Sequence, residues 1–228
     1  MSMKPEKKSD INKKWMKDRR DRRIMVAPEY HLIVTEGQKT EPLYFQGLKN
    51  DINQKYRGRI SIEINGIGQG SNTLTLLERA QQLVSAEPDK YKHVWLVYDK
   101  DDFPKDDFDN TYFKCESLSK ANNSVTYHAL WSNECIEYWF LLHYKHLDSA
   151  LRRTEYYPKL SECLDSKYEK NRDDIYNLLK PRISTAIENA KSILSNYNGL
   201  PPSQCTPGTT VFEIFEKLQN YIVQGLTE

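Results

Sequence analysis

Up to residue 130 the apolar positions fall into short runs separated by stretches with helical periodicity. Tyr30 to Thr35 (YHLIVT) is a β-branched run that stops at Glu36-Gly37, which predicts a buried strand ending in a turn. Thr40 precedes Glu41-Pro42, and proline suits a first helical turn. Leu43, Tyr44, Phe45 and Leu48 then repeat at helical spacing, so a helix is expected from about Glu41 to Asn53. Ile60 to Ile64 (ISIEI) alternates as a second strand and runs into a glycine loop, NGIGQGSN, where Ser71 or Asn72 can cap the next helix. That helix carries Leu74, Leu77, Ala80, Gln81 and Val84 on one stripe and is broken by Pro88. Val94 to Tyr98 is nearly continuously apolar, as a central strand covered on both faces should be. It ends abruptly on Asp99, Asp101 and Asp102. A helix from Asp106 to Lys120 and a fourth strand from Val125 to Ala129 complete an alternation that argues for an open, mainly parallel four-stranded α/β sheet.

From Asn133 onwards the pattern turns helical. CIEYWFLLHYKH is aromatic-rich and amphipathic, with Ser132 or Asn133 as the expected cap. Residues 172–196 show an apolar helical face with Pro181 as a kink or a break, and Val211, Ile214, Phe215 and Leu218 form a last helix behind Thr209 or Thr210. The expected division is an arm at residues 1–28, an α/β core at residues 29–145, and a helical extension at residues 146–228 packed on that core.

Charge separates the arm from the rest. The 228 residues carry 33 Lys/Arg and 32 Asp/Glu, a net +1. Residues 1–23 hold ten basic and four acidic side chains, which leaves 23 basic against 28 acidic groups in the remainder. The arm has too few apolar residues for a core. It is either a solubilising tail or a contact for phosphate, with Arg19, Arg20, Arg22 and Arg23 the candidates for gripping a nucleic-acid backbone. The 15 Tyr, 7 Phe and 4 Trp supply large core groups and argue against global disorder. No stretch approaches a membrane span, and the charged N-terminus lacks an apolar leader core. Four widely spaced Cys without a CxxC pair disfavour a zinc site or a disulfide scaffold, so a cytoplasmic setting is expected.

In parallel α/β sheets, ligands bind at the carboxyl ends of the strands. Here the first strand ends at Glu36-Gly37 and the third at Asp99 and Asp101. An extended backbone points that last pair to one side. Carboxylates gathered around one crevice repel each other unless a cation neutralises them, and hard oxygen ligands select Mg²⁺ or Mn²⁺. Lys39, Lys100 and Lys105 lie near this acidic edge in sequence and could neutralise a phosphate. Ser71 and Asn72, at the end of the second strand, could touch one through the loop. The glycine loop is neither a Walker A nor a GxGxxG motif.

The pair VTEG and VYDKDD resembles the Toprim fold of topoisomerases, primases and OLD-type nucleases. More extensively, VTEGQKTEPLYF, GIGQGSNT, VWLVYDKDDF, SNECIEYWFLLH, KYEKN and PGTTVFEIFEKL resemble, in order, the RloB-like family, over roughly residues 30–220. That family is encountered beside phage-defence genes. The resemblance implies a Toprim-like fold, with Glu36 as a general acid/base or metal ligand and Asp99 and Asp101 as a metal-binding pair. It makes Gly37 a tight turn beside the phosphate, and Glu41 and Glu137 ligands of a second ion. It implies a Mg²⁺- or Mn²⁺-dependent nuclease cutting RNA or DNA in anti-phage defence, with Glu36, Asp99 and Asp101 catalytic. A trigger or protein partner, and homo-oligomerisation, are consistent with it.

Plainer readings stand beside these. Glu137 is either a metal ligand or a buried carboxylate holding Asn133 or His143. His143, Trp131, Trp139 and Phe140 read as core. Asp106, Asp107 and Asp109 read as a solvated helix start, Asp102 as a cap or a solvent contact, and Lys167 and Lys170 as a solvated face. The functional rival is a non-catalytic nucleic-acid-binding or sensor component of a defence complex; a primase-like activity has no support in the sequence.

Overall fold

The computed structural model describes residues 29–56, 59–67, 73–101, 104–121 and 124–223. The basic arm, the loop residues Ser71 and Asn72, and Asp102 therefore lie outside the described residues. Four parallel strands, β1 (Glu29–Thr35), β2 (Ile60–Gly66), β3 (His93–Asp99) and β4 (Thr126–Asn133), alternate with α1 (Thr40–Lys55), α2 (Thr73–Ala86) and α3 (Lys105–Ala121). After β4 the chain forms α4 (Glu137–Leu142), α5 (Arg153–Cys163), α6 (Ile175–Leu179) and α7 (Ile183–Leu194). A two-residue strand β5 (Gly208–Thr209) and the helices α8 (Phe212–Lys217) and α9 (Gln219–Val223) follow.

The sheet order is β2-β1-β3-β4-β5, with β5 antiparallel to β4. This α/β sheet thus has five strands rather than the expected four. Two residues are too few to show an alternation, so β5 leaves no periodic mark in the sequence. β4 runs four residues beyond the expected Ala129 because β3 stays paired with it through Ser132 and β5 pairs with Ser132 and Asn133 on the other side. Ser132 and Asn133, expected as helix caps, are strand residues. The Ser132 and Thr209 hydroxyls lie 3.0 Å apart, and Asn133 Nδ2 donates to Thr206 Oγ1 at 2.7 Å. Behind β5, Thr209 Oγ1 accepts the N–H of Val211 at 3.2 Å, immediately before α8.

The apolar run of β3 serves two cores because successive side chains face opposite sides of the sheet. Val94, Leu96 and Tyr98 pack with Leu32, Val34 and Trp131 under α2 and α3. Trp95 and Val97 join Ile33, Ile62 and Leu130 on the other face. There the cover comes from α1 and from the helices beyond residue 133, through Tyr44, Phe45, Trp139, Tyr156, Leu179, Ala186 and Phe215. Trp139 Nε1 donates to Tyr44 Oη at 2.8 Å, and its ring stacks on Phe215 at 5.5 Å. Trp131, Trp139, Phe140 and His143 are all buried, as their patterns predicted.

Pro181 acts as a break. A 3₁₀ turn at Lys180–Arg182 separates α6 from α7, because proline removes a backbone donor and crowds the preceding turn. Asp109 departs from the expected solvated helix start. Its carboxylate accepts the Ser203 N–H at 2.8 Å and the Ser203 hydroxyl at 2.6 Å, tying α3 to the loop before β5.

Candidate functional site

The carboxyl ends of β1 and β3 open into a cleft of about 570 Å³ lined by Glu36, Gly37, Lys39, Glu41, Asp99 and Asp101, with Glu137, Arg153, Lys170 and Asn171. Register explains the convergence. β1 and β3 are neighbours, and the Glu36 N–H bonds to Val97 O at 3.0 Å just past the last paired residues. Lys100 N–H reaches Ser132 O at 2.9 Å and Asp101 N–H reaches Glu134 O at 3.1 Å, so the chain after β3 is pinned to the tail of β4. Asp101 takes a left-handed backbone, φ 37°, which an aspartate tolerates better than a bulkier residue. A Cβ at Gly37 would run into the Glu41 carboxylate where it lies. Absence of that Cβ lets Glu41, from the first turn of α1, reach the cleft.

Burial and mutual repulsion set the electrostatics. Burial pushes the Glu36 carboxyl up to about 7, with Asp101 and Glu41 adding to the effect and a backbone hydrogen bond from Asp99 opposing it. Asp99, 3% exposed, is driven well above the usual carboxylate range by burial and then by Glu41, Asp101 and Glu137. Glu41 is raised chiefly by burial, and so is Asp101, against the pull of Arg153.

Arg153, at the start of α5, answers part of this charge. Its Nη1 donates to Asp101 Oδ2 at 2.7 Å and its Nη2 to Asp99 Oδ2 at 3.0 Å. Glu137 is 1% exposed and accepts from Tyr168 Oη at 3.2 Å, so its partner is neither Asn133 nor His143. One oxygen each of Glu36, Asp99 and Glu137 is buried without a hydrogen-bond partner. Among the described residues, no three His, Cys, Asp or Glu side chains are arranged so as to hold a metal ion as they stand.

The structure brings Glu36, Glu41, Asp99, Asp101 and Glu137 into one cleft, with Lys39 on its rim. Lys100 and Lys105 line a neighbouring cleft of about 540 Å³ that shares Asp101 and also holds Asn133, Arg152 and Thr206. Ser71, Asn72, Arg19, Arg20, Arg22 and Arg23 fall outside the described residues. Arg153 escaped the sequence reading because the Arg152-Arg153 pair looks like any charged helix start. Tyr168, Lys170 and Asn171 carried one signal, the block KYEKN. Lys170 belongs to the cleft rather than to a purely solvated face, whereas Lys167 is exposed and pairs with Glu169 at 2.8 Å.

Fold and site together define an α/β protein with an acidic cleft at the carboxyl edge of a mostly parallel sheet. Residues 31–218 match the family described as RloB-like protein, so the chain belongs to the RloB-like family. No curated protein and no solved structure matches the chain. Among the described residues, no helix is long and apolar enough to cross a membrane.

Proposed function

We propose that the chain is a divalent-metal-dependent nuclease of Toprim type that hydrolyses RNA or DNA phosphodiesters, with a role in anti-phage defence. The observation that carries the reading is the meeting of five carboxylates in one cleft with three of their buried oxygens unpartnered. A buried carboxylate oxygen without a donor is costly, and a hard cation is the partner that an all-oxygen donor set fits. Asp99 and Asp101 would hold Mg²⁺ or Mn²⁺, with Glu41 and Glu137 available to a second ion. A bound divalent ion supplies Lewis-acid polarisation of the phosphoryl oxygen and lowers the pKa of a water.

The remaining chemistry belongs to the chain. Glu36, with its carboxyl near 7, is suited to accept a proton from the attacking water or return one to the leaving oxygen. Lys39 and Lys170 face the cleft as countercharges for the phosphate. The defence setting follows from the family resemblance and from no feature of the cleft.

The test is cleavage of mixed RNA and DNA substrates by the full chain with Mg²⁺ or Mn²⁺, against EDTA and against Asp99→Ala/Asp101→Ala. Metal-dependent cutting that is lost in the double variant supports the reading and shows the substrate class. Glu36→Gln is expected to fold normally and lose at least ~100-fold in rate, the usual range for a proton-transfer group. An unchanged rate removes Glu36 from its role.

A further inference from the structure

The guanidinium of Arg153 sits where the metal reading places a cation. It takes one oxygen from each member of the Asp99–Asp101 pair, at 3.0 and 2.7 Å, while the second Asp99 oxygen stays buried and unpartnered. Only Nη1 and Nη2 are engaged; Nε is buried without a partner. The fork of a guanidinium suits a phosphate as well as a carboxylate, since both accept two parallel N–H bonds. Arg153 is also partly open to solvent, its side chain 31% exposed, in the cleft that Lys170 and Asn171 line.

Two cations cannot share one small carboxylate seat without strong repulsion. A divalent ion carries twice the charge of the guanidinium and would draw on the same two carboxylates. We propose that Arg153 and a divalent cation are alternative occupants of the Asp99–Asp101 pair. In the metal-free protein Arg153 holds the two acids together. Once displaced by the ion, it offers its fork to a substrate phosphate in the same cleft. The inference rests on the metal-dependent reading and adds a phosphate-binding role for a residue outside the acidic set. The unused Nε and the unpartnered carboxylate oxygens fit an arrangement waiting for exchange; a permanent structural ion pair would leave fewer donors and acceptors idle.

Mn²⁺ binding by calorimetry, on the full chain, tests the exchange. Arg153→Gln is expected to bind Mn²⁺ at least tenfold more tightly than wild type, to melt lower without metal, and to regain wild-type melting with it. Inorganic phosphate, titrated in saturating Mn²⁺, is expected to bind wild type and to lose at least tenfold in affinity in the variant. Equal or weaker Mn²⁺ binding by Arg153→Gln overturns the exchange while leaving the metal reading intact. No Mn²⁺ binding by either protein overturns both. Should Arg153→Gln not fold without metal, Arg153→Lys provides the comparison. It keeps the charge and loses the fork, so Mn²⁺ affinity should stay within threefold of wild type while phosphate affinity falls; a Lys variant that binds phosphate as well as wild type refutes the role of the fork.

Discussion

Three histidines at the end of the sheet away from the acids should make stability depend on pH in a way that one double variant isolates. His31, His93 and His128 lie beside Trp95 on neighbouring strands. Trp95 Nε1 donates to His31 Nδ1 at 3.0 Å, His93 Nδ1 and His128 Nε2 stand 3.0 Å apart, and Trp95 stacks on His128 at 3.8 Å. Glu29 approaches His31 at 3.6 Å and His93 at 3.9 Å, and Lys217 pairs with Glu29 at 3.4 Å. Burial lowers His31 and His128 from 6.5 to about 3, with neighbouring imidazoles and Lys217 contributing, and His93 to about 4, with Lys217 adding to the effect and Glu29 opposing it. Because the folded values lie below the unfolded one, the native state binds fewer protons. Their contribution is fully present above 6.5 and is lost as pH falls toward the folded values. Each unit of pH below 6.5 therefore costs about 1.4 kcal/mol per histidine, or about 2.7 kcal/mol for His93 and His128 together near pH 5.5. Partial exposure of this pair brings the expectation down to ~2 kcal/mol. Total stability is a poor readout, since Glu36 and Glu213, both raised to about 7 mainly by burial, slope the other way. The difference between wild type and His93→Gln/His128→Gln cancels those groups. Urea unfolding should show the variant gaining about 2 kcal/mol on wild type between about pH 7.5 and pH 5.5. A gain below ~0.5 kcal/mol, or one toward alkaline pH, refutes the assignment of neutral, buried imidazoles.

Three further changes probe other parts of the molecule. Phe215→Ala removes a ring that is 1% exposed and stacked on Trp139; a loss of about 3–5 kcal/mol in urea unfolding is expected, and a loss under 1 would show that the shared core is loosely packed there. Asp109→Ala strips the Ser203 N–H and hydroxyl of their acceptor and should cost about 1–2 kcal/mol, with faster protease cleavage near residues 198–207 as the local signature. Gly37→Ala puts a methyl group against the Glu41 carboxylate and should weaken Mn²⁺ binding roughly tenfold with the fold preserved by circular dichroism; unchanged affinity separates Glu41 from the metal.

Much of the sheet was legible because its signals are local. The runs at Tyr30–Thr35 and Val94–Tyr98 are short, nearly unbroken apolar stretches bounded by turn or charged residues, and the helical stripe of α2 repeats over enough residues to show its period. The acids at the ends of β1 and β3 were legible for the same reason, since a strand that stops on a carboxylate at the carboxyl edge declares its position. What stayed hidden depends on contacts across long stretches of chain. Ser132 and Asn133 are strand residues rather than caps because Asp99 pairs with Ser132 on one side and Gly208 and Thr209 return to pair on the other, and Asp109 is held by a residue 94 positions away. Arg153 enters the cleft because α5 packs beside α4 and aims its first residue at the acids, and no spacing along the chain encodes that direction.

The core shared by the sheet and the later helices bears on how this chain can be divided. Ile33 and Val97 from the strands and Tyr156, Ala186 and Phe215 from beyond residue 145 belong to one packed cluster. A cut at that point would leave each piece with half of an interior and, for the first piece, an acidic cleft without its guanidinium. The two segments are therefore expected to melt as a single calorimetric unit, and a cut between them to unfold both.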